Sequence, residues 1–451
     1  MEVVTNVFCA SGMHLPNDSY ATFGGNGAVG VGGNIGSNLV RTLRTDMTYQ
    51  DYDGRNAIRI LNPCTDGDDF TSAECAWFDN PSVLAMQKER WYSAAEALAD
   101  GTVVLIGGFV NGGYINRNYP NTDPEYEGGA AEPTYETLDL PDMPGEVVRV
   151  YPASGAVAML PLTPANNYTP TVLFCGGSNM TDSQWGDYSW PVIDTLYYPA
   201  SADCQRLTPE PTDGSTPAYD DMLEPRENGT VGYSENTDMT LEYGQMPYGM
   251  LLAAAPVSTP AIYDPDANSG SRWSNAGLEA ASLPRLYHSS AILLPDASAE
   301  IFHPSYFSSS TRPVPTGTPT TLSYGGSYFD IAIPPSSYSG SANDAAANTT
   351  VMVIRPGWTT HAMNMGQRYL QLNTTYMVND NGTITMHASQ MPPNQPGPAM
   401  VFVVVNGIPS NGSFVIVGTG GVETQPLSTA SELPASVLVF SNASGSGANT
   451  S

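Results

Sequence analysis

Three times in this chain, two apolar runs joined by a turn close on a pair of glycines, and no other feature limits the fold as much. The first runs from Phe8-Cys9-Ala-Ser-Gly to Phe23-Gly24-Gly25, the second from Arg90-Trp-Tyr92-Ser to Ile106-Gly107-Gly108, and the third from Ser154-Gly-Ala-Val to Cys175-Gly176-Gly177. Arg285-Leu-Tyr287-His288-Ser to Pro295-Asp296 supplies the first half of a fourth. Glycine pairs at strand ends allow another backbone to come close. Residues 88–99 have helical propensity, but the Asp100-Gly101 turn followed by Val-Val-Leu-Ile predicts a hairpin instead. With 44 Gly and 38 Pro among 451 residues, long helices are disfavoured, while 41% hydrophobic residues suffice for packed cores. The expected class is all-β.

Two strands ending on a glycine pair is how the blades of a kelch-like β-propeller read, so residues 1–307 are expected to form one. The fourth unit is not completed in the same way, because Asp296 runs directly into Ala-Ser-Ala-Glu rather than into a strand closing on glycines. Residues 308–320, rich in Ser, Thr and Pro, read as a linker. Residues 321–440 hold the apolar runs Phe329–Ile333, Val351–Ile354, Tyr369–Leu372, Met400–Val405 and Phe414–Val417, the rhythm of an immunoglobulin-like β-sandwich. Residues 441–451 form a Gly/Ser-rich tail.

The 44 acidic against 15 basic residues give a net charge of −29, which repels phosphate backbones and anionic lipid and argues against nucleic-acid binding. No run is long enough for a transmembrane helix. Ten Asn-x-Ser/Thr sequons point to a secreted glycoprotein, yet the first residues lack a signal peptide, so the natural start is expected to be missing. Of the five cysteines, Cys64 with Cys75 and Cys175 with Cys204 are the simplest local disulfides in an oxidising compartment. Cys9 is left over, either as an ordinary buried thiol or as one with special chemistry.

Five stretches in order, Phe8-Cys9-Ala-Ser-Gly, Glu89-Arg-Trp-Tyr92-Ser, Pro284-Arg-Leu-Tyr287-His288-Ser, Trp358-Thr-Thr-His361-Ala and Pro398-Ala-Met-Val-Phe, resemble the glyoxal oxidase branch of the galactose oxidase-like copper radical oxidases. The likeness extends over nearly the whole chain and implies a nominally seven-bladed propeller that is incomplete here, since the strands that the family pattern places beyond Glu136 and after Arg226 are missing. Gly107-Gly108-Phe109-Val110-Asn111 lacks the tryptophan that galactose oxidases place over their redox tyrosine, which favours the glyoxal oxidase branch. The resemblance implies one copper ion held by Tyr92, Tyr287, His288 and His361, and a redox cofactor made by a thioether between the Cys9 sulfur and the Tyr92 ring. It gives Tyr287 the further role of base toward the substrate. Such a role for Cys9 leaves four cysteines for two disulfides.

Imidazole and phenolate ligands suit copper, and a redox-active tyrosine supplies the second electron that aldehyde oxidation needs beyond the one copper takes. The implied reaction converts simple aldehydes of the glyoxal and methylglyoxal type, as hydrates, to carboxylic acids while O2 becomes hydrogen peroxide. The protein is expected to act outside the cell as a monomer, with its peroxide available to peroxidases. Two other readings stand beside this one: a galactose oxidase-like primary alcohol oxidase, and a non-catalytic, truncated propeller acting as a binding module. Successive strand residues face opposite ways, so Tyr287 and His288 can share a metal only where their strand ends or twists. His14, His303 and His387 match no motif and are read as structural.

Overall fold

The glycine pairs sit where the chain doubles back on its neighbours. In the computed structural model Gly24 and Gly25 have φ of 75° and 133°. A Cβ on either would stand about 2 Å from a backbone oxygen, that of Arg90 or Asn6 respectively. The structure describes residues 3–27, 52–65, 67–108, 145, 147, 149, 155–177, 200–209, 221–223, 257–282, 305–360 and 363–439.

Strands β1 (Ser11–His14), β2 (Tyr20–Phe23), β3 (Ile58–Leu61) and β4 (Phe78–Asp79) form an antiparallel sheet in sequence order. An up-and-down sheet of four strands is the repeating unit of a propeller. The expected hairpin follows as β5 (Ala94–Ala97) and β6 (Val103–Ile106), with Ala94 opposite Ile106. Strands β7 (Gly155–Met159), β8 (Val172–Gly176) and β9 (Cys204–Leu207) are antiparallel neighbours, and β10 (Ile262–Tyr263) pairs with β11 (Trp273–Ser274). Among the described residues these sheets do not close into a ring. Both expected disulfides are present, Cys64–Cys75 and Cys175–Cys204, the second directly across β8 and β9.

The later part is a sandwich of two sheets. Its strands are β12 (Thr321–Leu322), β13 (Phe329–Ile333), β14 (Thr349–Arg355), β15 (Trp358–Thr360), β16 (Met363–Met365), β17 (Arg368–Gln371), β18 (Thr374–Val378), β19 (Ile384–Ala388), β20 (Gly397–Val405), β21 (Ile408–Pro409) and β22 (Ser413–Val417). One helix among the described residues, α1 (Ala342–Ala347), starts where the Ser341 hydroxyl caps the Asp344 N–H. One sheet has the order β12-β22-β20-β14-β17 with β21 beside β20, and the other is β13-β19-β18. Alternation decides what lies between them: Val351 and Val353 of β14, Val401 and Val403 of β20, and Ile331 and Ile333 of β13 all enter one buried core. Met352, Ile354, Met400 and Phe402 bury the opposite face under Tyr306 and Tyr369. That burial on two faces is why β20 reads as an unbroken apolar run.

One hairpin leaves the sandwich. β15 and β16 pair with each other, and Met363 of β16 bridges to Val157 of β7, so the hairpin extends the β7-β8-β9 sheet across the expected linker. No helix among the described residues is long and apolar enough to cross a membrane.

Candidate functional site

Cys9 and Tyr92 hold matching places, each two residues ahead of a strand, β1 and β5 respectively. Both have positive φ, 60° and 65°. Asn and Asp enter that region readily, whereas a Cys or Tyr there costs about 1–3 kcal/mol and persists only where its surroundings impose it. The surroundings are well defined. The Tyr92 N–H donates to the Cys9 carbonyl at 3.2 Å, and the hydroxyls of Ser11 and Ser93 meet at 2.9 Å in a buried contact. The chain leading to Tyr92 is hung on the first sheet: the Arg90 N–H donates to the Arg55 carbonyl, the Gly25 N–H donates to the Arg90 carbonyl, and the Arg90 guanidinium reaches the Gly107 carbonyl.

Arg59 fixes the approach to Cys9 from below. Its fully buried guanidinium donates to the Thr5 hydroxyl at 2.6 Å, the Gly24 carbonyl at 2.8 Å and the Asn6 carbonyl at 3.0 Å, with Asp79 as counter-ion at 3.7 Å. Burial lowers its pKa to about 10, and Asp79 opposes that shift. A buried charge of this kind is tolerated because its donors are used.

The Cys9 side chain is buried and is not in a disulfide. Burial pushes its thiol pKa far up, with hydrogen bonding to the side chains of Tyr92 and Trp91 acting in the opposite sense. A thiol held protonated is a poor nucleophile, so this cysteine is not placed for hydrolytic or thiol-exchange chemistry. It is instead hydrogen-bonded to the side chain of Tyr92. The indole of Trp91, itself buried, packs on Tyr92 with ring centroids 4.3 Å apart and planes tilted by 44°.

The structure thus brings together Cys9 and Tyr92 of the expected site. Tyr287, His288 and His361 lie outside the described residues, as does His303. The strands on either side of residues 361–362 are β15 and β16, which pack beside β1 and β5, the strands that follow Cys9 and Tyr92. Met365 of β16 shares a core with Met13, Ala21, Phe23, Ala95 and Ala97. Among the described residues no three His, Cys, Asp or Glu side chains gather as a metal site. His14 Nδ1 lies 3.4 Å from Asp18 Oδ1, and His387 Nδ1 lies 2.6 Å from Asp330 Oδ1.

Trp91 and Glu96 had no expected role. Trp91 was visible only as the neighbour of Tyr92 within Arg90-Trp-Tyr92. Glu96 stands as a lone carboxylate in the alanine-rich β5, and its Oε1 and Oε2 accept from Gln395 Nε2 at 2.7 Å and the Gly366 N–H at 3.2 Å.

Residues 136–303 match the family described as glyoxal oxidase N-terminus, and residues 312–417 match the galactose oxidase-like early set domain. Aldehyde oxidase GLOX1 of Arabidopsis thaliana is 27% identical, covering 80% of this chain and 67% of its own length. Aldehyde oxidase GLOX of Vitis pseudoreticulata is 23% identical over 92% of this chain and 82% of its own. Among solved structures, a fungal alcohol oxidase of the AA5 family in complex with copper superposes with a TM-score of 0.53 at 16% identity, covering 91% of this chain and 85% of that one.

Proposed function

Because this chain belongs to the glyoxal oxidase family, we propose that it is a copper radical oxidase converting simple aldehydes of the glyoxal and methylglyoxal type to carboxylic acids, with O2 reduced to hydrogen peroxide. The observation that carries this reading is the meeting of the Cys9 thiol with the Tyr92 side chain at two backbone positions of unfavourable φ. The donor set suits the group. Tyr92, Tyr287, His288 and His361 would hold copper through phenolate oxygen and imidazole nitrogen, and the ion would supply one-electron exchange and a Lewis-acid position for substrate.

The chain's own residues do the rest. Sulfur bonded to the Tyr92 ring spreads the unpaired electron of an oxidised phenol, and the buried indole of Trp91 shields one side of that ring from water. Tyr287 takes the hydroxyl proton of the aldehyde hydrate, and the oxidised Tyr92 takes the C–H hydrogen. Loss of two electrons and two protons turns the hydrate into an acid, and the same two of each convert O2 to hydrogen peroxide.

The scaffold we propose is a kelch-like propeller over residues 1–307, nominally seven-bladed and shortened here, followed by a linker at 308–320 and an immunoglobulin-like sandwich at 321–440. An extracellular site of action is supported by both disulfides and by the exposure of every sequon asparagine within the described residues, Asn17, Asn167, Asn348, Asn373, Asn381 and Asn411.

Intact-mass and peptide analysis test the cofactor. The full chain incubated with Cu(II) and oxygen is expected to become lighter by two hydrogens and to yield a Cys9–Tyr92 linked peptide. Before that step Cys9 should resist alkylation until the chain unfolds, since burial keeps its thiol protonated. After it, Cys9 should stay unreactive even in denaturant. A chain that never loses the two hydrogens and takes up no oxygen with glyoxal would leave the reading without support. The likeness to the fungal alcohol oxidase favours a second reading, a primary alcohol oxidase, and faster oxygen uptake with primary alcohols than with aldehydes would select it.

A further inference from the structure

We infer that Glu96 is a positioning residue that holds the hairpin carrying His361 against the propeller side of the site, an inference resting on the copper reading above. The hairpin leaves the sandwich at one cross-strand pair. Arg355 at the end of β14 lies opposite Arg368 at the start of β17, and residues 356–367 depart between them. The neck is narrow: a Cβ on Gly357 would meet the Met365 carbonyl at 2.7 Å, and Gly366 turns with φ of 71°.

Two arginines directly opposite one another repel. Glu96 is their shared counter-charge. It reaches from β5 to Arg368 at 3.4 Å, supports the charge on Arg355, and accepts from the Gly366 N–H at 3.2 Å and from Gln395 Nε2 at 2.7 Å. Arg355 closes the joint, donating to the Pro396 carbonyl at 2.5 Å and to the carbonyl of His14, the last residue of β1, at 3.1 Å. Burial draws its pKa down to about 10, with Arg368 adding to the shift and Glu96 opposing it. One carboxylate from the strand that follows Tyr92 therefore holds the returning foot of the hairpin, at Gly366 and Arg368, while its charge offsets that of Arg355 at the other foot. Supporting groups of this kind set ligand geometry and typically contribute about 10–100-fold in metal affinity.

The test uses the full chain with Cu(II) alone, reading affinity by chelator competition and geometry from the Cu(II) EPR spectrum. Glu96→Ala is expected to weaken copper binding by about tenfold or more and to change the hyperfine splitting. Glu96→Gln, which keeps an acceptor for the Gly366 N–H but drops the charge, should fall between it and wild type. If Glu96→Ala does not fold, Glu96→Gln carries the test with the same two readouts. Wild-type affinity and spectrum in the folded variants, even with a lowered unfolding midpoint, would make Glu96 a simple docking contact and overturn the inference. His361→Ala separates the two failures. If it binds copper as wild type does, the copper reading fails and Glu96 falls with it; if it loses copper while the Glu96 variants do not, the positioning role alone is wrong.

Discussion

At the scale of single residues, the site depends on backbone that most side chains would refuse. Gly24 shows the constraint in its plainest form, because its Cβ would stand 2.0 Å from the Arg90 carbonyl oxygen, a backbone atom that cannot swing aside. Alanine there would add a left-handed φ worth about 1–2 kcal/mol to that clash. Gly24→Ala is therefore expected to lower stability in urea by at least about 2 kcal/mol. Arg90 lies two residues before Tyr92, so the variant should also slow cross-linking to Cys9; an unchanged midpoint and rate would show that the glycine does not set this strand's place. Cys9 and Tyr92 were legible as residues because each sits in a short motif that survives in one dimension. Their positive φ was not legible, since neither residue type favours it. Nor were Trp91 and Glu96, whose roles depend on what lies opposite them, and a linear pattern does not record that.

At the scale of strands, legibility followed burial. β13, β14, β20 and β22 fall on apolar runs visible in the chain, and the hairpin β5–β6 overrode helical propensity because the Asp100-Gly101 turn and its valine run agreed with each other. The hairpin β18–β19 was not read, although Asn381-Gly382 marks its turn, because Thr374-Thr-Tyr-Met-Val and Ile384-Thr-Met-His-Ala mix polar residues into their apolar runs. Helix α1 escaped notice too, being a single capped stretch of six residues. Burial also ranks the aromatics on these strands. Phe402 of β20 is 2% exposed and Phe414 of β22 is 55% exposed. Phe402→Ala is expected to cost about 3–5 kcal/mol and Phe414→Ala less than about 1 kcal/mol, compared by urea unfolding of the same full chain. Similar costs for both would mean that the outer face of β22 is covered by something else.

At the scale of the molecule, the division into a glycine-paired part and a sandwich was readable from texture, while their joining was not. β16 takes Val157 of β7 as its partner, and Arg355 takes the carbonyl of His14; partners so distant in the chain leave no local signature. Charge, by contrast, is a property of the whole and is fully readable. With 44 acidic against 15 basic residues, 29 negative charges (44 − 15) stay uncompensated even if every cation is used. Their mutual repulsion opposes the compact state at neutral pH. Raising sodium chloride from about 0.01 M to about 0.1 M shortens the screening length from about 30 Å to about 10 Å. Pairs that reach the surface, such as Arg55 with the exposed Glu89, should weaken as well, but each contributes at most about 1 kcal/mol, and the buried Arg59–Asp79 pair is shielded from the solution. Repulsion is the larger and longer-ranged of the two effects, so the urea midpoint at pH 7 is expected to rise across this salt range. A midpoint that falls instead would mean that the few cations, placed as Arg59 and Arg368 are beside their acids, outweigh the excess of like charge.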